Sequence, residues 1–484
     1  MKKIFLLLIM LGLYVNTTYS QEDTTNDKIE VKDAAIEIDE NTAVSLAFAN
    51  NLDLKSEKQK FASSVWVMAT SWNTFIPDIT MSASLSKSNL NTTNRTQTVT
   101  GLILVNPIDN GYYRYYDGVI PYSKDVKAHG TSLAANFDLS FNLNAAMGFQ
   151  VLQTILDYRS GKIGLEKAKK SLETTVRSNL YYLIVLQEDI KITEGSLKNA
   201  ERRYRQALIN YQNGLKSEYD MLSSQVFFEN LKPVLLAKKN AYNAFILDFK
   251  QTIGIKKDYE IKVTGKIETT DKKSFNANEL INKYLNSNLD VKNFKNSLQL
   301  ARNARNTQIA SLTPTFSIRY SMDPVYQEDP TDKDHQWVKN DLDYMEEHWK
   351  QTRGAFTIVG SLPISSWVLF SKEQVNALKS QFLMNETRYQ LQKAKEQVEK
   401  QIVTIVMNLE KSKQSIESLK LNVKLAERAY EKAEEAYKYG RMDLLEVQNS
   451  ENDLNNAKYN LLNEEYNYTK NLLDLKYITN SNLQ

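Results

Sequence analysis

Cysteine is absent from the 484 residues. No disulfide can staple the fold, and no thiol can carry a lipid behind a leader peptide, so packing alone must hold the chain. Glycine and proline are scarce, 15 and 8 in all, against ordinary usage of about 7% and 5%. Long uninterrupted helices are the elements that suit such a shortage. An excess of one charge is also missing: 61 Lys and Arg against 58 Asp and Glu leave a formal net charge of +3. That balance argues against a nucleic-acid partner. Beyond the N-terminus no apolar run is long enough for a spanning helix, and mean hydropathy is −0.48. Any passage through a membrane would then be a β-barrel. P-loop, nucleophile-elbow and dinucleotide signatures are missing too, so neither an enzyme nor a bound cofactor is expected.

What is present begins with MKKIFLLLIMLGLYVNTTYSQ, two lysines and a short apolar run before small and polar residues. It reads as a cleaved signal peptide over residues 1–20, cut after Ser20 and followed by an N-terminal extension over 21–40.

The rest repeats itself. NLDLK at 51–55 returns as NLDVK at 288–292, and Pro77 and Pro314 keep the same offset. AERRYRQALINYQNG at 200–214 returns as AERAYEKAEEAYKYG at 426–440 at a shorter offset, so a tolerated insertion lies between, as in an exposed loop. Two repeats are expected, 41–265 and 266–480. Each runs helix, strand, variable loop, strand, very long helix, glycine turn, helix. The opening helix is expected from Thr42 to Phe75, with Pro77 ending it. Strands are expected around 78–87, 131–144, 315–322 and 355–363, because Ile79, Met81, Ala83 and Leu85 alternate with polar residues, as do Leu133 through Leu143, Phe316 through Met322 and Phe356 through Leu362. Such segments have the pattern of an outer-membrane barrel, yet four strands cannot close one. Either they form a soluble sheet or several chains share a barrel.

The helix from about Gly148 to Gly214 would be a rod of about 100 Å, too long for a globular core. Pro233 should kink the helix after Gly214. The intervening loops carry YYRYYDGVIPY (112–122) and residues 323–350, where His335 and His348 stand among carboxylates. No metal-ligand spacing accompanies them, so they read as solvated loop residues and no metal is expected.

Taken together, the paired helix openings, the Pro77 and Pro314 junctions, and the two Tyr-x-x-Gly turns at 211–217 and 437–443 resemble the TolC-like outer-membrane efflux family. The resemblance covers about residues 40–478. It implies a mainly α fold with a β-barrel: a homotrimer in which each chain gives four strands to a twelve-stranded transmembrane barrel and long antiparallel coiled-coil helices to a tunnel crossing the periplasm. It also implies an outer-membrane exit duct in a diderm bacterium, surrounded by outer-membrane lipid, meeting a periplasmic adaptor and, through it, an inner-membrane pump of RND or ABC type. Small-molecule efflux and type I protein secretion are both open as cargo. A secreted coiled-coil scaffold or adhesin is the reading without a pore, and it leaves the four symmetric strands unexplained.

By the same resemblance Tyr437, with Tyr211 as its counterpart, stands at an aperture; packing between helices would equally use a tyrosine there. The family's aperture arginine is Met442 here. Glu446 falls at a first acidic ring and Asn449 at a second, which would be neutral. Asp443-x-x-Glu446 and Ser217-x-x-Asp220 also read as capping boxes, so Glu446 and Asp220 have both a pore-lining and a capping reading. Gly214, Leu215, Lys216 and Ser217 with Gly440 and Arg441 are the tip residues that would meet the adaptor, or else a solvated turn.

Overall fold

The computed structural model describes residues 36–88, 95–104, 113–122, 130–267, 274–322, 325–327 and 354–481. The signal peptide, most of the extension, and His335 and His348 lie outside the described residues.

Two rods dominate. Helix α3 (Ala146–Gln212) and helix α7 (Lys372–Lys438) have 67 residues each, about 100 Å at 1.5 Å per residue. Each turns back into a shorter partner, α4 (Glu218–Ile253) and α8 (Leu444–Thr479), of 36 residues. The remaining length beside the rods is filled by α1 (Glu40–Asn50) and α2 (Leu52–Ala69) in the first half and α5 (Ala277–Tyr284) and α6 (Leu289–Ala310) in the second. Along α3 lie α2, α4, α6 and α8, and along α7 lie α6 and α8. Pro233 removes one hydrogen bond from α4 without ending it.

The opening segment is two helices and a 3-10 turn (Ser71–Phe75) rather than one helix from Thr42 to Phe75. The break is chemical. Asn51 leaves the helical conformation at ψ 127 and its side chain caps the Leu54 N–H at 2.9 Å, while its Nδ2 donates to the Thr252 carbonyl at the end of α4 at 2.9 Å. Asn288 repeats this before α6, capping Asp290 and Val291 and donating to the Ile478 carbonyl at 2.8 Å. Thus the asparagine of NLDLK and NLDVK locks the start of one helix to the end of another. Gly254 is part of the first lock: at φ 73, a Cβ there would stand 2.5 Å from the Asn50 Cβ.

Two apolar clusters sit beside these locks. One gathers Ala43, Val44 and Ala47 with Val176, Leu180 and Leu183 of α3 and Phe249 and Ile253 of α4. The other gathers Leu280 and Val291 with Val398, Ile402, Leu409 and Ile416 of α7 and Tyr468 and Leu475 of α8. Each Val, Leu, Ile or Phe among them contributes about 1.5–3 kcal/mol when fully buried. A short parallel pair, β1 (Ile36–Ile38) with β6 (Ile261–Val263), ties the start of the first half to the linker between halves.

At the far end of the rods β2 (Asp78–Ser88), β5 (Gly130–Leu143), β7 (Thr315–Met322) and β9 (Gly354–Ser361) form an antiparallel sheet in the order β2-β5-β7-β9. Short β8 (Val325–Gln327) extends the pairing of β5. Register puts Ile79 opposite Leu139, Leu139 opposite Tyr320 and Tyr320 opposite Phe356, so apolar residues share one face. Polar residues share the other, where Arg319 pairs with Asp138 at 2.6 Å. Strands β2 and β9 are the edges, each with its outer side unpaired among the described residues. Residues 113–122, expected as loop, form a strand, β4 (Tyr113–Tyr122), paired with β3 (Arg95–Leu104) in a separate hairpin.

Candidate functional site: the two hairpin tips

The two Tyr-x-x-Gly turns are the same object. Gly214 and Gly440 have φ 69 and 70, the left-handed region that glycine enters without a Cβ penalty. Leu215 N donates to Asn210 O at 2.8 Å and Gly214 N to Tyr211 O at 2.9 Å; Arg441 N donates to Ala436 O at 2.9 Å and Gly440 N to Tyr437 O at 3.0 Å. Both are Schellman closures, satisfying carbonyls that a helix end leaves orphaned.

The return helices then start differently. Ser217 and Asp220 form the expected reciprocal cap, with Asp220 N donating to Ser217 Oγ at 3.2 Å and Ser217 N to Asp220 Oδ2 at 3.4 Å. Asp443 makes no side-chain cap, so the box expected with Glu446 is not formed. The Glu446 carboxylate is thereby left exposed, on one helix face with Asn449, which is also exposed.

Around the tip, Leu215, Ser217 and Arg441 are exposed, whereas Lys216 is half-buried because its Nζ lies over the Tyr437 ring, 5.6 Å from the centroid. Tyr437 is itself half-buried. Burial and then the negative charge of Asp220 push its phenol up, against the opposing charge of Arg203. Tyr211 is more exposed than Tyr437 and has no counterpart of the Lys216 contact among those described. The structure therefore brings Tyr437, Lys216 and Asp220 together across the two hairpins and leaves Tyr211, Glu446 and Asn449 outside that cluster. Pro77 and Pro314 lie at the opposite end, each directly before a strand.

About 16 Å below the tip, eleven helical residues back from Gly214, lies a cluster that the sequence reading did not single out. Arg203 on α3 pairs with Glu451 on α8, with side chains 2% and 3% exposed. Asn199 Nδ2 donates to Glu451 at 2.9 Å and to the Tyr430 hydroxyl at 3.3 Å, and Arg203 reaches the same hydroxyl at 3.4 Å. Arg202 pairs with Glu434 on α7. Burial, a bond to Glu434 and the charge of Glu451 push the Tyr430 phenol far up. Burial raises the Glu434 carboxyl, but the bonds from Tyr430 and Arg202 and the charges of Arg202 and Arg203 outweigh it and hold that group below its ordinary value. The cluster clamps the first hairpin to the second. A signal for it exists in the duplication: where the first repeat has Arg203 the second has Ala429, and where the second has Glu451 the first has Gln225. Here the two charges of the buried pair each appear in one repeat only.

Rods of about 100 Å, closed by twin glycine turns at one end and carrying a two-faced, open-edged sheet at the other, define a class of fold: long antiparallel helices on a strand base. No family model matches the chain, and no curated protein matches it. Solved structures do. The chain is similar to CusC, in a structure described by its transmembrane channel formation, with a TM-score of 0.71 and 13% identity over 93% of this chain and 95% of that one. It is similar to the Campylobacter jejuni CmeC outer membrane channel (TM-score 0.69, 15% identity, 91% and 85% covered). It is similar also to the open state of the Neisseria gonorrhoeae MtrE outer membrane channel (0.68, 13%, 96% and 95%). The chain has the TolC-like channel fold that the sequence resemblance implies.

Proposed function

We propose that the protein is the outer-membrane exit duct of a tripartite export system, passively conducting small molecules delivered by an inner-membrane pump through a periplasmic adaptor. The observation that carries the reading is the sheet. One face is apolar and exposed at Ile79, Met81, Leu85, Phe356 and Ile358, the other is polar, and both edge strands are open. An exposed apolar face with two open edges is unstable in water and prone to pair with further strands. Three copies, β9 of each beside β2 of the next, would close twelve strands with the apolar face to lipid and the polar face inward. The helices then continue as a periplasmic tunnel, and the twin tips face the adaptor through Gly214, Leu215, Lys216, Ser217, Gly440 and Arg441. Tyr437, with Asp220 and Lys216, closes the aperture; Glu446 and Asn449 line it and Tyr211 flanks it. The names of the similar solved structures support the same reading.

Single-channel recording in a planar bilayer, with the mass of the detergent complex taken on the same sample, tests it. A trimer giving small cation-preferring steps is expected, with Glu446→Gln weakening the cation preference. A monomer that never conducts overturns the proposal.

A further inference from the structure

The seam between the two halves of the chain recurs, and its copy is exposed. Helices α2, α3, α6 and α7 pack in a row, each on the next, in the order of the strands they adjoin, β2-β5-β7-β9. The middle contact, α3 with α6, joins the halves, and polar bonds mark it. Lys167 of α3 pairs with Asp290 of α6, Asn296 Nδ2 donates to the Leu156 carbonyl at 3.0 Å, and Asn303 Nδ2 donates to the Phe149 carbonyl at 2.9 Å and to Gln153 Oε1 at 3.1 Å. These bonds define which stripe of α3 is covered, and Leu156 within it is 3% exposed.

The duplication puts the same stripe on α7. The long helices correspond residue for residue, 146–212 with 372–438, so Phe149, Gln153, Leu156 and Lys167 become Val375, Lys379, Phe382 and Lys393. There the stripe is bare. Phe382 is 61% exposed, Val375, Lys379 and Lys393 are exposed as well, and Tyr389, seven residues after Phe382 on the same face, is 70% exposed. A counterpart of α6 also exists. The match of NLDLK to NLDVK makes α2 that helix, with Asp53 at the place of Asp290 and Gln59 at the place of Asn296, both exposed. Within one chain the two faces cannot meet, because α2 and α7 are opposite ends of the row.

Both members of the ion pair survive the duplication, and that names the occupant. Lipid does not suit a stripe carrying Lys379, Glu386 and Lys393, and a protein of another sequence would have no reason to present an acid where α6 presents Asp290. A second copy does so, at Asp53. We infer that α2 of one copy lies on α7 of the next in the register of α6 on α3, with Asp53 of one copy paired to Lys393 of the other and Gln59 donating to the backbone carbonyl of Phe382. The inference rests on the shared-barrel reading above and goes beyond it, since open strand edges leave the helical register between copies unset. A slip of one helical turn, about 5.4 Å, would break the pair. One ion pair, copied with the fold, thus joins the halves inside a chain and the chains inside the ring.

The test uses the absence of cysteine. Gln59→Cys combined with Phe382→Cys should form a disulfide between copies when the detergent-purified assembly is oxidised, giving covalent trimers on a non-reducing denaturing gel, while either single variant runs there as a monomer. Asn296→Cys with Leu156→Cys, at the seam inside the chain, is the control and should close a loop within each chain. If the mass in detergent is that of a trimer and the control closes, yet Gln59→Cys with Phe382→Cys gives only monomers, the register is overturned and the shared barrel stands. A monomer by mass overturns the shared barrel first. Charge gives a second readout that decides the matter without cysteines. Asp53→Lys or Lys393→Asp sets like charges together and should speed dissociation of the trimer by roughly two- to fivefold for each seam, and the two exchanges combined should restore most of the loss. Single variants that dissociate at the native rate, or a combination no slower than Asp53→Lys alone, overturn the ion pair.

Discussion

Glu451→Ala strips the partner from Arg203, whose side chain is 2% exposed. Removing one member of so buried a pair costs about 3–5 kcal/mol, because the remaining charge stays desolvated. Tyr430, 3.4 Å from Arg203, is a poor substitute: it is a neutral hydroxyl already engaged by Asn199. The loss lands where α3, α7 and α8 meet, so separation of the two hairpins should become easier while the clusters around Leu180 and Ile402 stay closed. At tenfold per 1.4 kcal/mol, a loss of about 3–5 kcal/mol should speed amide exchange over 199–214 and 427–445 by roughly 10² to 4 × 10³. Hydrogen exchange by mass spectrometry on the detergent-solubilised assembly reads both regions in one sample. The companion is Arg203→Met with Glu451→Leu, which removes both charges and fills the space. Such replacements are neutral or stabilising by about 1–4 kcal/mol, so protection should return. Unchanged tip exchange in Glu451→Ala would refute the clamp. Equal loss in the double variant would assign the effect to packing volume instead of an unpaired charge.

Gly254→Ala and Gly440→Ala both place a Cβ at positive φ, costing about 1–2 kcal/mol, but only at Gly254 would it also meet the Asn50 backbone, at 2.7 Å, while Gly440 faces open space. Gly254→Ala should therefore lower Tm clearly more in detergent; equal falls would refute the part of Gly254 in the lock between the start of α2 and the end of α4. Ser217→Ala removes a real cap and should cost about 1 kcal/mol of local stability, whereas Asp443→Ala, which removes none, should leave exchange at the start of α8 nearly unchanged. The Glu434 carboxyl lies below its ordinary value of 4.5 in the folded chain. Its contribution is therefore present above that value and is lost as the pH falls through the folded one. Tip exchange, corrected for intrinsic rates, should rise on acidification below about pH 4.5, and Glu434→Gln should flatten that dependence.

The strands were legible because a sheet with one buried or lipid-facing side writes period two into the chain, as Ile79, Met81 and Leu85 do. The tips were legible because glycine is the residue that most readily takes φ near 70 at the end of a helix, so a Tyr-x-x-Gly repeated at one offset has few other meanings. The division of the opening helix was harder to see: Asn51 sits in an otherwise helical run, and what makes it a break is Thr252, brought near only by folding. Residues 113–122 looked like loop because their partners, 95–104, lack a clean alternation, and pairing rather than pattern makes the strand. The Asp443 cap failed for a related reason. A capping box needs both side chains turned back on the helix start, and residue spacing licenses that arrangement without enforcing it.

The clamp shows where a duplicated chain departs from its own symmetry. Residues kept in both repeats, Asn51 with Asn288 and Gly214 with Gly440, close helices inside one half, and copying them yields two equivalent hairpins. Equivalent hairpins have nothing that selects one another. Arg203 and Glu451 supply the selection because each occurs once: Ala429 and Gln225 stand at the corresponding positions, so neither hairpin can form the pair with itself. An ion pair duplicated along with the fold could have formed within each repeat and left the two hairpins free of one another. A pair divided between repeats, and buried so that its loss is costly, forces α3 against α8 at one height. That is also the height above which the chain places Lys216 over Tyr437, so the contact across the tips forms on hairpins already held in register.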